Sequence, residues 1–417
     1  MTTLTDRTRG IGADAPVESR DRVADALASF VRWLDEFGEL SFDHQSFFAG
    51  PIGGRAKALY YRHRLLGTAA VAPMIACEAL LPSARRLFWR PQRFPIADAH
   101  YAMGFAALAL RTQSDAHRRR AVHFADILEQ TRCPGYARHG WGYPFDWVTR
   151  TGVMAAQTPL ITSTPYAYEA FEAVQALDGD PRWISVMRSI AEHALLDIPD
   201  RVIDEDTASA GYNPQDAEGG VVNASAYRAF LLSSAARRFG RDDMAQAARR
   251  NMNYVLQSQR ADGSWPYATD GVRDFVDHFH TCFVLKALAK IEALEPAPPQ
   301  RLRSAIDRGV RYYVEHLFDG SGLPRPFAKA PRLTVYRHEL YDYAECINLC
   351  TLLIGRSTQL DRRLSTTLDD LFERWRKPDG SFRSRRLMLG WDNVPMHRWA
   401  QSQVFRSLAM LPRSAGR

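Results

Sequence analysis

One tripeptide recurs at near-regular intervals and narrows the fold more than any other feature of the chain. Asp-Gly-Ser appears as Asp262-Gly263-Ser264, Asp319-Gly320-Ser321 and Asp379-Gly380-Ser381, at spacings of 57 and 60 residues. Each copy follows a segment with apolar residues on one helical face and precedes one that is apolar nearly all round. Two helices per unit at that period mark helical hairpins set side by side in an array or a ring. The turn chemistry fits: Gly accepts a left-handed cap that other residues resist, while Asp and Ser bond locally to the backbone.

Periodicity separates two kinds of helix. Met244, Ala248, Met252 and Val255 share a face, as do Leu302, Ile306, Val310 and Tyr313, and again Leu364, Leu368, Leu371 and Trp375. A one-sided stripe with Arg, Asp and Gln opposite describes an outer helix. Residues 227–232, 279–288 and 344–353 have no polar face, which describes inner helices buried on both sides. Weaker copies extend the series. Gly140-Trp141-Gly142-Tyr143 and Gly211-Tyr212 take the turn position, inner helices fall over 100–110, 165–174, 223–239 and 395–411, and outer ones over 117–130 and 182–196. About six inner helices result. The expected fold is an all-α, (α/α)6-type toroid, one domain over 21–412 after a disordered tail over 1–20, with any strands short.

The bulk properties exclude several classes. A net charge of +7 over 417 residues is mild, and no nucleic-acid-reading motif accompanies it. The first twenty residues lack the apolar core of a signal peptide. The most apolar stretch, 65–81, is interrupted by Pro73 and Glu78 and is too short to span a bilayer. Five cysteines include no zinc-ribbon spacing, and Cys346 and Cys350 sit four apart on one helix, where packing explains them. The reading is a reduced, cytoplasmic protein with no cofactor, no metal and no obligate protein partner. Arginines on the outer helices leave room for peripheral attraction to anionic lipid at the inner membrane.

In a toroid the inner helices run parallel, so their N-termini converge on one mouth with unpaired N–H groups and partial positive charge. The residues at those starts are unusually polar. Asp277 and His280 lie three apart, as do Asp342 and Glu345. If both members of the second pair are buried, repulsion raises one pKa, as a general acid requires. With Asp146 from a turn loop, His280, Asp342 and Glu345 are the catalytic candidates. Binding candidates are Trp141, Arg150 and Trp265 from the loops, and Asn223, Asp277, His278 and Tyr341 from helix starts. His397, Arg398 and Gln401 complete the set at the last inner helix. A plainer role competes: Thr162, Ser163, Asn223 and Asp277 also suit N-caps.

Two resemblances bear on these positions. Gln259-Arg260-Ala261-Asp262-Gly263-Ser264-Trp265 is similar to the Gln-x3-Gly-x-Trp motif of terpene cyclases, and Asp204-Glu205-Asp206-Thr207-Ala208 is similar to the acid motif of class II cyclases without its second adjacent aspartate. A wider resemblance covers nearly the whole chain. It rests on Gly140 to Trp147, Val222-Asn223-Ala224-Ser225, Asp277-His278-Phe279-His280-Thr281 and Arg398-Trp399-Ala400-Gln401, with Phe42-Asp43 and residues 87–93 in the N-terminal part. These look like an α/α-toroid family found with bacterial exopolysaccharide biosynthesis proteins and often labelled prenyltransferase-like. That resemblance implies a cell-envelope glycan context.

The leading expectation is a carbohydrate-active enzyme, a hydrolase, lyase or epimerase acting on a glycan or a sugar-containing precursor. Sugar sites need aromatic faces beside carboxylates, His, Asn and Arg, and the mouth offers both. Two alternatives stand beside it: a cyclase or prenyltransferase-like enzyme on an isoprenoid diphosphate, and a non-catalytic glycan-binding or scaffold protein.

Overall fold

The computed structural model describes residues 17–412 apart from 151 and 332. The tail expected over 1–20 lies outside the described residues as far as 16, and the first helix begins at Val17. In chain order the helices are α1 (Val17–Phe37), α2 (Ser46–Ala49), α3 (Pro51–Arg62), α4 (Arg64–Leu80), α5 (Pro95–Thr112), α6 (Asp115–Gln130), α7 (Thr164–Asp178) and α8 (Arg182–Leu196). They continue as α9 (Val222–Phe239), α10 (Asp242–Gln257), α11 (His278–Leu294), α12 (Gln300–His316), α13 (Leu340–Leu352), α14 (Thr358–Asp370) and α15 (Ser402–Ala409).

The odd-numbered helices from α5 to α15 form the inner layer. Each packs on the next, and α15 packs back on α5, so the ring closes. Their burial follows from composition: every residue of α9 from Val222 to Leu232 is buried, as is every residue of α13 from Leu340 to Ile347. The outer layer is α6, α8, α10, α12 and α14, with α1 as the sixth member. Periodicity had not singled out α1, although its buried stripe of Val23, Ala26, Leu27, Phe30, Trp33 and Leu34 has the outer-helix pattern. It precedes every turn motif, and its partner α15 lies at the far end of the sequence.

The repeated turn works in two of its three copies as expected. Gly263 and Gly380 have φ of +92° and +93°, and Asp262 and Asp379 each accept hydrogen bonds from the backbone N–H (2.9 Å) and hydroxyl (2.7 Å) of the serine two residues on. In the middle copy the left-handed residue is Gly322, two positions later, and Gly320 is not left-handed. Asp319 there accepts from the N–H groups of Ser321 and Leu323. The turns also join repeats. A Cβ on Gly263 would lie 2.5 Å from the carbonyl oxygen of Arg308 in α12, and one on Gly380 would lie 2.4 Å from that of Ser29 in α1. The second contact is part of the ring closure.

Short antiparallel strands decorate the entries to the inner helices. Val276–Asp277 pairs with Phe327–Lys329, and Tyr336–Glu339, Arg385–Leu387 and Trp391–Asp392 form a three-stranded sheet. These ladders tie the loop before one inner helix to the loop before the next. The segment α2–α4 stands outside the hairpin repeat. It has a small core of its own in Phe47, Ala56 and Met74, and α3 and α4 meet backbone to backbone at Gly67, where a Cβ would lie 2.1 Å from the Cα of Tyr60.

Candidate functional site

At the mouth, rings from four inner-helix entries and their loops meet. Trp399 stacks on Tyr341, with centroids 4.3 Å apart and planes 21° apart, and Phe279 stands edge-on to both at 5.2 and 5.6 Å. Tyr267 meets the imidazole of His280 at 4.7 Å, and Phe279 meets it at 4.4 Å. On the other flank, the Arg398 guanidinium lies 4.6 Å over Tyr143 and 5.1 Å over Trp399. Asp43 holds it through two hydrogen bonds of 2.9 and 2.7 Å. His44 packs on Trp399 at 4.3 Å.

Two imidazole–carboxylate pairs stand on this aromatic surface. Asp277 is the N-cap of α11, accepting the backbone N–H of His280 at 2.8 Å with one oxygen while its other oxygen lies 2.5 Å from His280 Nδ1. One carboxylate thus caps the helix and fixes the ring, leaving Nε2 as the nitrogen available to a ligand. The His280 side chain is 20% exposed and Asp277 only 2%. In the second pair, His44 Nδ1 lies 3.1 Å from Asp43, and its Nε2 lies 2.9 Å from the Gln45 amide. Burial, outweighing the neighbouring carboxylate, lowers the His44 pKa to about 3. Burial alone would raise Asp43, but Arg398 beside it holds its carboxyl well below the usual range.

The structure brings together Asp277, His280, Tyr341 and Arg398 among the residues expected from sequence. Others fall elsewhere, for identifiable reasons. Trp141 and Trp265 are core residues whose indole N–H groups bond the carbonyls of Leu128 (2.7 Å) and Val255 (2.9 Å), and Trp265 fills the space over Gly309 of α12. His278 faces the outer layer, bonded to the Tyr313 hydroxyl (2.8 Å) and the Leu317 carbonyl (3.1 Å). His397 is bonded to the Tyr101 hydroxyl and the Gly38 carbonyl, and Gln401 to both backbone groups of Phe382. Asn223 is buried inside the first turn of α9 and is not its cap; its Oδ1 has no partner among the described residues. Asp146 and Arg150 are exposed, and Asp146 accepts the backbone N–H of Ala156.

Asp342 and Glu345 are both fully buried. Burial, then the charges of Glu339 and Asp277, push the Asp342 carboxyl well above its usual range, and neither oxygen has a hydrogen-bond partner among the described residues. Glu345 lies against the Lys286 ammonium in the ring interior, where Lys286 also reaches Asn348 and the Tyr166 hydroxyl. Burial lowers the pKa of Lys286 to about 8 despite that neighbour. Sequence reasoning had not singled out His44, Lys286 or Tyr166. His44 carries no periodic signal, Lys286 lies mid-way along an apolar inner helix, and Tyr166 reads as one more apolar residue in the first turn of another. The Gln259 of the cyclase-like motif is structural too, its amide donating to the carbonyls of Gly263 (3.0 Å) and Ala305 (2.9 Å). The acidic segment at 204–206 sits in an exposed strand turn.

Comparison with protein-family models gives no match, and comparison with curated proteins gives none either. Solved structures do match. A cellobiose 2-epimerase from Bacillus thermoamylovorans superposes with a TM-score of 0.59 at 7% identity, covering 76% of this chain and 87% of that one. A UGL variant with dGlcA-Glc-Rha-Glc gives 0.59 at 12% identity, covering 94% and 97%. A GH76 α-mannanase from Bacteroides thetaiotaomicron gives 0.55 at 9%, covering 82% and 93%. The chain is an all-α toroid. At such low identity the likeness concerns the fold alone.

Proposed function

We propose that this chain is a carbohydrate-active enzyme that moves a proton at a sugar carbon, in the manner of an epimerase or a lyase, with His280 as the transferring group and Asp277 orienting it. One observation carries this: the half-open His280 imidazole, held through Nδ1, stands on a surface of aromatic rings. General base work needs a positioned group within reach of the substrate, and the rings suit the apolar faces of a sugar. A hydrolase would need two carboxylates flanking the bond. The carboxylates that meet at the mouth, Asp43 from the loop before α2 and Asp277, Glu339, Asp342 and Glu345 from inner-helix starts, do not offer them, since each is at most 2% exposed. Arg398, already paired, serves as a wall of the mouth. The structural neighbours include proteins described as acting on cellobiose or carrying the name of a mannanase, which favours a glycan over an isoprenoid diphosphate. The resemblance of its motifs to those of exopolysaccharide-associated toroids supports a substrate from cell-envelope glycan metabolism.

The test is solvent hydrogen exchange. Oligosaccharides with and without uronic acids are incubated in deuterated water and followed by NMR. Deuterium should enter a single ring or open-chain position of a substrate or product. His280→Ala should abolish the exchange, and Asp277→Asn should reduce it by about 10²–10⁴-fold. Hydrolysis without exchange, at an unchanged rate in His280→Ala, would refute the assignment.

A further inference from the structure

The α3–α4 hairpin presents a surface that the toroid does not need. From Leu65 to Cys77, α4 runs thirteen residues without a charge, yet only Gly67 and Met74 of that run are buried. Leu65, Ala69, Ala72, Ala76 and Leu80 recur at steps of three and four on one exposed face. Leu65 is 87% exposed, Leu66 66% and Leu80 62%, and Ile52 at the start of α3 and Leu87 after α4 are as open. An apolar helix face left open in this way marks a partner.

The charges say which partner. Residues 46–90 hold seven Arg and Lys against one acid, Glu78, and that acid is paired with Arg385 in the sheet beside the mouth. Arg85 is buried on Asp392. Arg55, Arg62, Arg64, Arg86 and Arg90 are exposed and have no carboxylate partner among the described residues. Two copies meeting through this face would bring these arginines against one another, which disfavours self-association. A negatively charged surface with an apolar interior fits both features. No helix among the described residues is long and apolar enough to cross a membrane. A helix of 17 residues, about 25 Å long, with Leu65 and Leu80 at the two ends of an exposed alanine face and Arg64 at its start beside Arg62, has the form of an in-plane interfacial helix.

We infer that the α3–α4 hairpin docks this protein on an anionic lipid bilayer, with Leu65 and Leu66 entering the acyl boundary and Arg62 and Arg64 holding headgroup phosphates. The inference is independent of the catalytic reading.

Co-sedimentation of the full chain with phosphatidylcholine vesicles, with and without phosphatidylglycerol, tests it. Binding is expected only to the anionic vesicles and should weaken as salt screens the charges. At about 1 kcal/mol per base removed, Arg62→Ala with Arg64→Ala should weaken partitioning about thirtyfold. Leu65→Ser with Leu66→Ser should weaken it as severely while leaving the circular dichroism spectrum and thermal midpoint unchanged. Three results would each overturn the inference: no binding to either vesicle, binding that both variants retain, or a dimer in analytical ultracentrifugation that Leu65→Ser/Leu66→Ser dissolves, which would make a second copy the occupant.

Discussion

His278 and His280 lie two residues apart and do opposite things. His278 is sealed behind α11 with both ring nitrogens bonded, whereas His280 is half-open at the mouth. His278→Ala should therefore strand the Tyr313 hydroxyl and lower stability by about 1–3 kcal/mol in chemical denaturation. His280→Ala should leave the midpoint nearly unchanged and remove turnover. Asp342 gives a second contrast. Burial and the neighbouring carboxylates hold its carboxyl well above the usual range, which favours the neutral form. Asp342→Asn should accordingly keep most activity, whereas an acid in contact with substrate would lose it. Stability should also depend on acid through buried histidines. Burial lowers the pKa of His397 to about 4 and that of His44 to about 3, from an ordinary 6.5. A depressed histidine stabilises the fold fully above its unfolded pKa, and that contribution is lost as pH falls from about 6.5 through 4 towards 3. The thermal midpoint should decline across that window, and His397→Gln should flatten the upper part of the decline.

At the scale of the element, the turn that betrays the fold also holds it. Gly263 and Gly380 need left-handed backbone and touch the outer helix of the adjoining unit, so two penalties meet there. Gly380→Ala should cost at least about 1–2 kcal/mol from the backbone alone, and Gly263→Ala a similar amount. Gly320→Ala should cost almost nothing, because Gly320 is not left-handed and a Cβ there meets nothing within 4 Å. Urea titration of the three variants checks the ordering. The inner and outer helices were legible because burial on both sides and burial on one side leave different periodicities. α1 and the α2–α4 hairpin were not. α1 lacks a preceding turn motif and pairs across the chain ends, and α4 breaks the rule by exposing an apolar face. Trp141 and Trp265 misled for a related reason. They sit in turn loops, poor core positions by sequence, yet the loops fold inward against the carbonyl ends of α6 and α10.

At the scale of the whole molecule, ring closure makes a mouth from residues that are remote in sequence. Asp43 and Arg398 are 355 positions apart and share two hydrogen bonds. Such a contact has no local signature. The convergence of inner-helix starts could be foreseen from the repeat, and with it the neighbourhood of His280, Tyr341 and Arg398. Which side chain on each first turn faces the mouth could not, since a rotation of one residue about the helix, about 100°, exchanges mouth for core. The most direct measurement is deuterium uptake from solvent into a sugar substrate by the wild-type chain and by His280→Ala. The reading predicts uptake at one carbon in the wild type and none in the variant, with both chains melting at the same temperature. Equal uptake in the two would contradict it.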